Sequence, residues 1–483
     1  MKSLTIILLL SVATLSYAQP PDTLWTRTHG GTRNDGANAV QQTADGGYIV
    51  AGETNSFGAG EDDFYLVKTN SQGDTIWTRA YREILGGWAY SVQQTTDGGY
   101  IVAGYTPFFP GYYCDFYLVK TNSQGDTLWT RIYGGTHDDR AYSVQQTTDG
   151  GYIVAGFTYS FGAGWRDFYL VKTNNQGDTL WTRTYGGSSD DMACSIQQTT
   201  DGGYIMAGRT GSFGAGNWDF YLVKTNSQGD TLWTRTYGGT GSDEAYSVQQ
   251  TNDGGYIIAG STESFGAGSV DFYLVKTDSQ GDTLWTRTYG GLYADGAYSV
   301  QRDTTDGGYI VAGWTYSFGV GGTDFYLVKT NSHGDTLWTC TYGGTNTDCA
   351  YSVQQTIDGG YIVAGWTYSF GADFSDCYLV KLSSESSVEP ISLSLPSRYS
   401  LHPNYPNPFN PSTRISYDLP SPSPVTLEVF DLLGRRLGTL TDGMQPAGNY
   451  SVLFDGSALP SGLYFYRLNA GNFVQTQKMV LLK

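Results

Sequence analysis

The chain has 483 residues, a formal net charge of −18, 65 glycines and 39 tyrosines. That length exceeds one ordinary domain and supports a substantial core. The acidic balance argues against nucleic acid or an anionic membrane surface as partner, because both demand positive charge. Abundant Gly, Thr, Tyr and Trp beside few helix formers point to β structure. Five cysteines (Cys114, Cys194, Cys340, Cys349, Cys377) follow no repeated spacing. They make no disulfide framework, and their odd number leaves at least one thiol unpaired.

In chain order, the first segment is "MKSLTIILLLSVATLSYAQP". Lys2 is followed by an apolar run too short to span a bilayer, and Ser16-Tyr17-Ala18 has the small-x-small form of a cleavage site. Residues 1–18 therefore read as a secretory signal peptide. No Cys follows that site, so no lipid anchor is expected there. No second long apolar segment follows, and a soluble mature chain without a transmembrane segment is expected outside the cytoplasm.

Residues 19–382 repeat. Asp63, Asp115, Asp167, Asp219, Asp271, Asp324 and Asp376 each open a "D(F/C)YLVK" segment, 52 residues apart except for one step of 53 caused by an extra residue in "QRDTTDGG" (301–308). Each period holds four β candidates, as in "AYSVQQT", "YIVAGYT", "DFYLVKTN" and "TLWTRIY" between 89 and 133. Asp97-Gly98 suits a two-residue hairpin turn, and "NSQGD" a longer one. Four strands per period of roughly 40–50 residues is the signature of a β-propeller blade. The order is permuted: a lone fourth strand, "DTLWTRT" (22–28), comes first, and the repeat ends on a third strand, "DCYLVKL" (376–382). Pairing these two closes a seven-bladed ring and removes two sheet edges. Trp25, Trp77, Trp129, Trp181, Trp233, Trp285 and Trp338 recur in the fourth strand and read as inter-blade packing. The "GDTLW" pattern resembles the tryptophan-docking motif of quinoprotein propellers and the Asp-box turn of sialidases. The Asp-box spacing is not met, so the likeness implies fold and no activity.

After a Ser/Pro-rich linker (383–400), the tail begins "LHPNYPNPFNPSTRISYDLP" (401–420) and runs through a "D-x-x-GR" turn and "SGLYFYRL" to "QKMVLLK". Alternating short strands predict an immunoglobulin-like sandwich over 401–483. On Asn407, Pro408, Phe409, Asn410, Pro411, Gly434, Arg435, Lys478 and Lys483, the tail resembles the type A C-terminal sorting domain of type IX (Por) secretion cargo. That resemblance implies passage through the periplasm and outer membrane of a Bacteroidetes-like bacterium, with the type IX machinery as partner. In that family the tail is commonly removed, and the cargo is attached to surface lipopolysaccharide or released.

Residues repeated seven times build blades, so a single site needs residues that break the repeat. The loops between second and third strands and between blades share one face and diverge there. Trp88, Phe108, Phe109, Tyr112, Tyr113, Trp165 and Trp218 are aromatic additions of single blades. With nearby carboxylates they suit sugar stacking, although gap-filling between blades is the plainer reading. Asp138-Asp139 and Asp190-Asp191 offer oxygen ligands for calcium, against solvated surface charge as the alternative. No other cofactor is predicted. The four histidines are scattered, no His/Cys spacing fits zinc, and neither a G-x-S-x-G elbow nor a phosphate loop occurs. Three functions fit: a surface platform binding an extracellular glycan or protein; a glycoside hydrolase or lyase with carboxylates from distant blades; and a structural surface protein without a specific ligand. Low divergence between blades favours binding or structure over catalysis.

Overall fold

The computed structural model describes residues 19–483 apart from 59–61, 82–85, 109–112, 373, 386–395, 397, 405–406, 410, 458 and 483. The signal-peptide segment and Phe109, Tyr112, Asn410 and Lys483 lie outside the described residues. The chain divides into two compact units, with the boundary after Ser386.

The first unit is a propeller-like set of seven four-stranded antiparallel sheets. Six are consecutive meanders, such as Asp191–Gln198, Tyr204–Thr210, Asp219–Thr225 and Thr231–Tyr237. The seventh takes Asp348–Gln355, Tyr361–Thr367 and Asp376–Leu382 and completes them with the N-terminal Thr23–His29. That strand pairs antiparallel through Thr28↔Tyr378 and His29↔Cys377.

Strand sequence follows burial. The two middle strands are apolar in their centres without alternation, and "DFYLVKT" (219–225) is buried at every position, Asp219 and Lys224 included, because neighbouring sheets cover both faces. The outer strand alternates and stays half exposed. Cores therefore lie between sheets: Ile205, Leu222 and Tyr237 of one pack on Val248, Tyr256 and Tyr273 of the next. Each such burial is worth about 1.5–3 kcal/mol. The repeated Trp joins this packing, as Trp233 meets Tyr256 of the next sheet edge-to-face at 5.8 Å.

The hairpin turn differs from the two-residue form. It spans Thr95 to Gly98, closed by Gly98 N–H donating to Thr95 O at 2.9 Å, with Gly98 at φ 81°. Asp97 is used as an acceptor: its carboxylate takes Thr95 Oγ1 at 2.5 Å and Gly99 N–H at 3.0 Å, and pairs with the buried Lys120 ammonium at 2.9 Å. The constancy of the DGG text thus reflects an ion pair from the third strand as well as turn geometry.

The first strand of each sheet has one edge without a ladder partner. Gln side chains of the preceding sheet fill it: Gln94 N–H donates to Gln41 Oε1 at 2.5 Å, and Gln146, Gln198, Gln250 and Arg302 N–H donate to Gln93, Gln145, Gln197 and Gln249, each at 2.6 Å. Gln355 N–H donates to Gln301, and Gln42 N–H returns the series to Gln354 at 2.5 Å. These seven acceptors line one opening of about 260 Å³.

The expected linker starts too early. Ser383 N–H donates to Asp22 O at 2.8 Å, and Glu385 accepts from Trp338 Nε1 at 3.0 Å and Tyr361 OH at 2.9 Å. Residues 383–385 therefore belong to the first unit, and Trp338 is covered to 2% exposure while its equivalents stay half-buried. All five cysteines are free.

The second unit sandwiches a three-stranded sheet (Ser400–Leu401, Ser412–Leu419, Gly448–Asp455) against a four-stranded one (Arg436–Gln445, Ser423–Phe430, Gly462–Ala470, Phe473–Leu481). Ile415 and Tyr417 of the first share a core with Leu427, Val429, Tyr466 and Leu468 of the second. Its beginning and end are tied together. Phe409 is buried and exchanges backbone bonds with Val480 (2.9 Å) and Leu482 (3.0 Å), while Asn407 Oδ1 accepts from Val480 N–H at 2.9 Å. Gly434 at φ 76° and the 2.6 Å Arg435–Asp431 pair form the turn between Phe430 and Arg436. Lys478 sits in the last strand opposite Phe465.

Gln41→Ala leaves the Gln94 N–H in the wall of the opening without its acceptor. Urea denaturation should show a loss of about 1 kcal/mol with an unchanged m-value.

Candidate functional site

The pairing of first and second strands slips at one place in every sheet, for example between Ala141 and Ser143. A bulge of this kind re-aims the residue it leaves over. Tyr90, Tyr142, Tyr246, Tyr298 and Tyr351 occupy that position in five sheets, with Asn38 and Cys194 in the other two. Together with Met192 these seven line an axial cavity of about 170 Å³. It lies toward the variable-loop end of the first strands, away from the glutamines. Tyr90 contacts Tyr142 at 4.8 Å, and Tyr246–Tyr298–Tyr351 form a run at 4.9 and 4.6 Å. Asn38 and Cys194 interrupt the ring.

Beside it run two columns that change from sheet to sheet. Gly36 faces Glu53, Trp88 faces Tyr105, and Arg140 faces Phe157 across the first two strands. Met192 faces Arg209, Glu244 faces Ser261, Gly296 faces Trp314, and Cys349 faces Trp366. Arg209 and Glu244 form a 2.5 Å ion pair, and Tyr246 OH donates to the same carboxylate at 2.6 Å. Glu53 accepts from Asn38 Nδ2 at 2.7 Å. Burial, opposed by Asn38 and reinforced by Asp62 and Asp35, pushes the Glu53 carboxyl up to about 7. Sequence reasoning looked only to loops: it named Trp88, which the structure places at the start of the strand Trp88–Gln94, and missed the other positions. Their signal was present: the residue after "AG" in the second strand is Glu, Tyr, Phe, Arg, Ser, Trp and Trp inside otherwise constant text.

A second cleft, of about 300 Å³, is lined by Trp165, Ser189, Asp190, Gly211, Asn217 and Trp218. Trp165 is 69% exposed. Trp218 is fixed beneath the Arg209 guanidinium, 4.0 Å from its ring centre. Three other sheets carry Tyr159, Tyr316 and Tyr368 where this one has Gly211. Even a methyl there would approach Trp218 to 3.3 Å, so the glycine makes room for the indole. Arg166 pairs with Asp190 at 3.5 Å.

Three of the sequence-predicted residues, Trp165, Trp218 and Asp190, thus come together. Trp88 does not join them; it packs on Tyr90 and Tyr105 beside the axial ring. Tyr113 is exposed and lies 5.4 Å from His137. Phe108 and Tyr113 are not loop residues: the strands Tyr100–Phe108 and Tyr113–Thr121 run two residues longer than their equivalents and pair them. Asp139 accepts from Gly135 N–H (2.8 Å) and Ser160 Oγ (2.7 Å), and Asp191 from Gly187 N–H (2.8 Å) and Ser212 Oγ (2.7 Å). Asp138 accepts from Cys114 N–H at 2.7 Å. Among the described residues no group of three or more His, Cys, Asp or Glu is placed to hold a metal ion. Nor is any helix among them long and apolar enough to cross a membrane.

Comparison with known families decides the tail. Residues 404–482 match the secretion system C-terminal sorting domain. This sorting domain marks the chain for type IX export, to the outer cell surface or into the medium. Residues 43–75 match the DUF5122 β-propeller, a domain of unknown function. The regulatory protein FlaEY of Caulobacter vibrioides is 27% identical over 175 residues, which are 31% of this chain and 18% of FlaEY. Among solved structures, PorZ, an essential surface component of the type-IX secretion system of Porphyromonas gingivalis, aligns at a TM-score of 0.43 and 10% identity, over 94% of this chain and 60% of that one. The propeller domain of the Trilobed protease from Pyrococcus furiosus aligns at 0.40 and 10%, over 77% and 100%. Likeness of this degree says nothing about a ligand.

A carboxyl raised from 4.5 to about 7 keeps its proton in the folded state, so the stability it contributes is full below pH 4.5 and is lost as pH rises through about 7. Glu53→Gln removes this loss. Thermal denaturation should find the variant about 1–2 kcal/mol more stable than wild type at pH 8, and equal to it at pH 4.5.

Proposed function

We propose that the exported chain is a glycan-binding platform, a closed seven-bladed β-propeller carried to the surface by an immunoglobulin-like sorting domain. The closed ring is supported by the return of the glutamine series from the seventh sheet to the first and by the N-terminal strand in the seventh sheet. The immunoglobulin-like reading rests on two antiparallel sheets sharing one core.

The observation that carries the binding function is the cleft with the exposed Trp165 beside Trp218. An exposed indole offers its face to the apolar C–H side of a sugar ring. Asp190, Ser189 and Asn217 supply acceptors and donors for its hydroxyls. A cleft of this size holds one or two sugar units, which favours a glycan over a folded protein as occupant. Trp218 is positioned for the role by Arg209 above and by the absence of a side chain at Gly211.

The test is a glycan array with the chain from residue 19, followed by calorimetry on any hit. Trp165→Ala should weaken binding at least tenfold, the equivalent of about 1.4 kcal/mol or more, with no change in melting temperature. Trp233→Ala, a half-buried packing residue, should instead cost about 1–3 kcal/mol of stability and leave affinity intact. Undiminished binding by the Trp165 variant would move the site elsewhere, and an array without hits would remove the glycan from the reading.

A further inference from the structure

We propose that the axial cavity is a receptor for a compact organic ammonium group, seated in the break that Asn38 makes in the tyrosine ring and neutralised by Glu53. This site is separate from the Trp165 cleft and does not depend on the glycan reading.

The bulge would place a tyrosine at position 38 as it does in five other sheets. Asn38 is shorter, and it opens a slot between Tyr351 and Tyr90, its counterparts in the adjoining sheets. Behind Asn38 lies the Glu53 carboxylate, held by Asn38 Nδ2 at 2.7 Å while the same amide reaches Ala89 O at 2.9 Å. Both flanking tyrosines feel the charge of Glu53. Among the described residues Glu53 has no cationic partner, whereas the other acid of these columns, Glu244, is taken by Arg209. A partly buried acid without a counter-ion, beside a cavity walled with aromatic rings, is poised for a cation that shed its water easily. An ammonium carrying carbon substituents fits: it gains attraction from ring faces and from the carboxylate, and it loses less hydration than a metal ion. The second break, at Cys194, has Arg209 and Glu244 beside it, already paired with each other, and so offers the same ligand no free acid.

The groups facing Glu53 are Asp35, Asp62, Tyr90, Tyr351 and Cys377, none of them cationic. The site therefore needs the ionised form of Glu53, and affinity should rise as pH passes upward through about 7.

Choline chloride and tetramethylammonium chloride, titrated into the chain from residue 19 with tyrosine and tryptophan fluorescence as readout, test this. Both should bind saturably. 3,3-Dimethylbutan-1-ol, the uncharged shape analogue of choline, should bind at least tenfold more weakly. Glu53→Gln should lose tenfold or more, and binding to the parent should be stronger at pH 8 than at pH 5.5. Asn38→Tyr restores the residue that five sheets already accept, fills the slot, and should abolish binding; far-UV circular dichroism and melting temperature report that it folds. Equal binding of the neutral alcohol would reduce the cavity to an apolar one, unchanged affinity in Glu53→Gln would strip the acid of its role, and no saturation by either ammonium salt would end the proposal.

Discussion

Each innermost strand leaves a row of backbone donors facing the axis, and everything else in the first unit is arranged around satisfying them. A buried N–H without a partner costs about 1–3 kcal/mol, and seven strands would multiply that. The answer is a glutamine placed one sheet back, repeated until the last sheet serves the first. A serine repeats the device higher on the strand, as Ser91 accepts from Val144 N–H at 3.2 Å. The donors are backbone N–H groups, which any residue but proline supplies, as Arg302 does, so the constraint falls on the acceptor side chain of the neighbouring sheet. This constraint keeps "SVQQ" nearly constant through the repeat.

The same logic governs the buried lysines. Lys120 is 3% exposed, yet it meets Asp97 and the Thr121 carbonyl. Such a pair adds little net stability against the cost of desolvation, but removing one partner would strand a charge. Its effect is to specify which turn lies over which strand. Sheet six shows how far the arrangement bends. The extra residue in its turn puts Asp303 and Asp306 around Lys329 at 3.3 and 2.5 Å, and Glu385 approaches at 3.8 Å from beyond the last strand. The segment expected to be a free linker is thus bound here, and it covers Trp338.

The period, the strand order and the exchange of the N-terminal strand were legible in the sequence because they follow from spacing alone. The tail was legible because its motif residues are local in the chain. The axial ring was not, because a bulge is a property of two strands: nothing in "AYSVQQ" marks its tyrosine as the residue left over when Ala141 and Ser143 take consecutive partners. The hairpin turn was misjudged for a related reason, since Asp97 answers to a lysine 23 residues away. Trp165 and Trp218 were found as exceptions to a repeat. That they meet across neighbouring sheets, while Trp88 turns to the axis, depends on which strand end each loop leaves.

A repeated scaffold makes sevenfold surroundings, and a ligand without that symmetry can be held only where the copies differ. In the first unit the differences are not spread evenly. The faces that pack sheet on sheet, the glutamine opening and the DGG turns stay nearly uniform, because a change there must be matched in a neighbour. Among the described residues, the side chains of the bulge position and the two columns beside it make no contact that recurs in all seven sheets, so a change there disturbs one or two neighbours and not the whole series. Charge there is also uneven: Glu53 stands alone with Asn38, while Arg209, Glu244 and Tyr246 bind one another on other sheets. Variation has therefore collected at the cavity end of the first strands and in the loops beside it, which is where packing and hydrogen-bond constraints between sheets leave it free to collect.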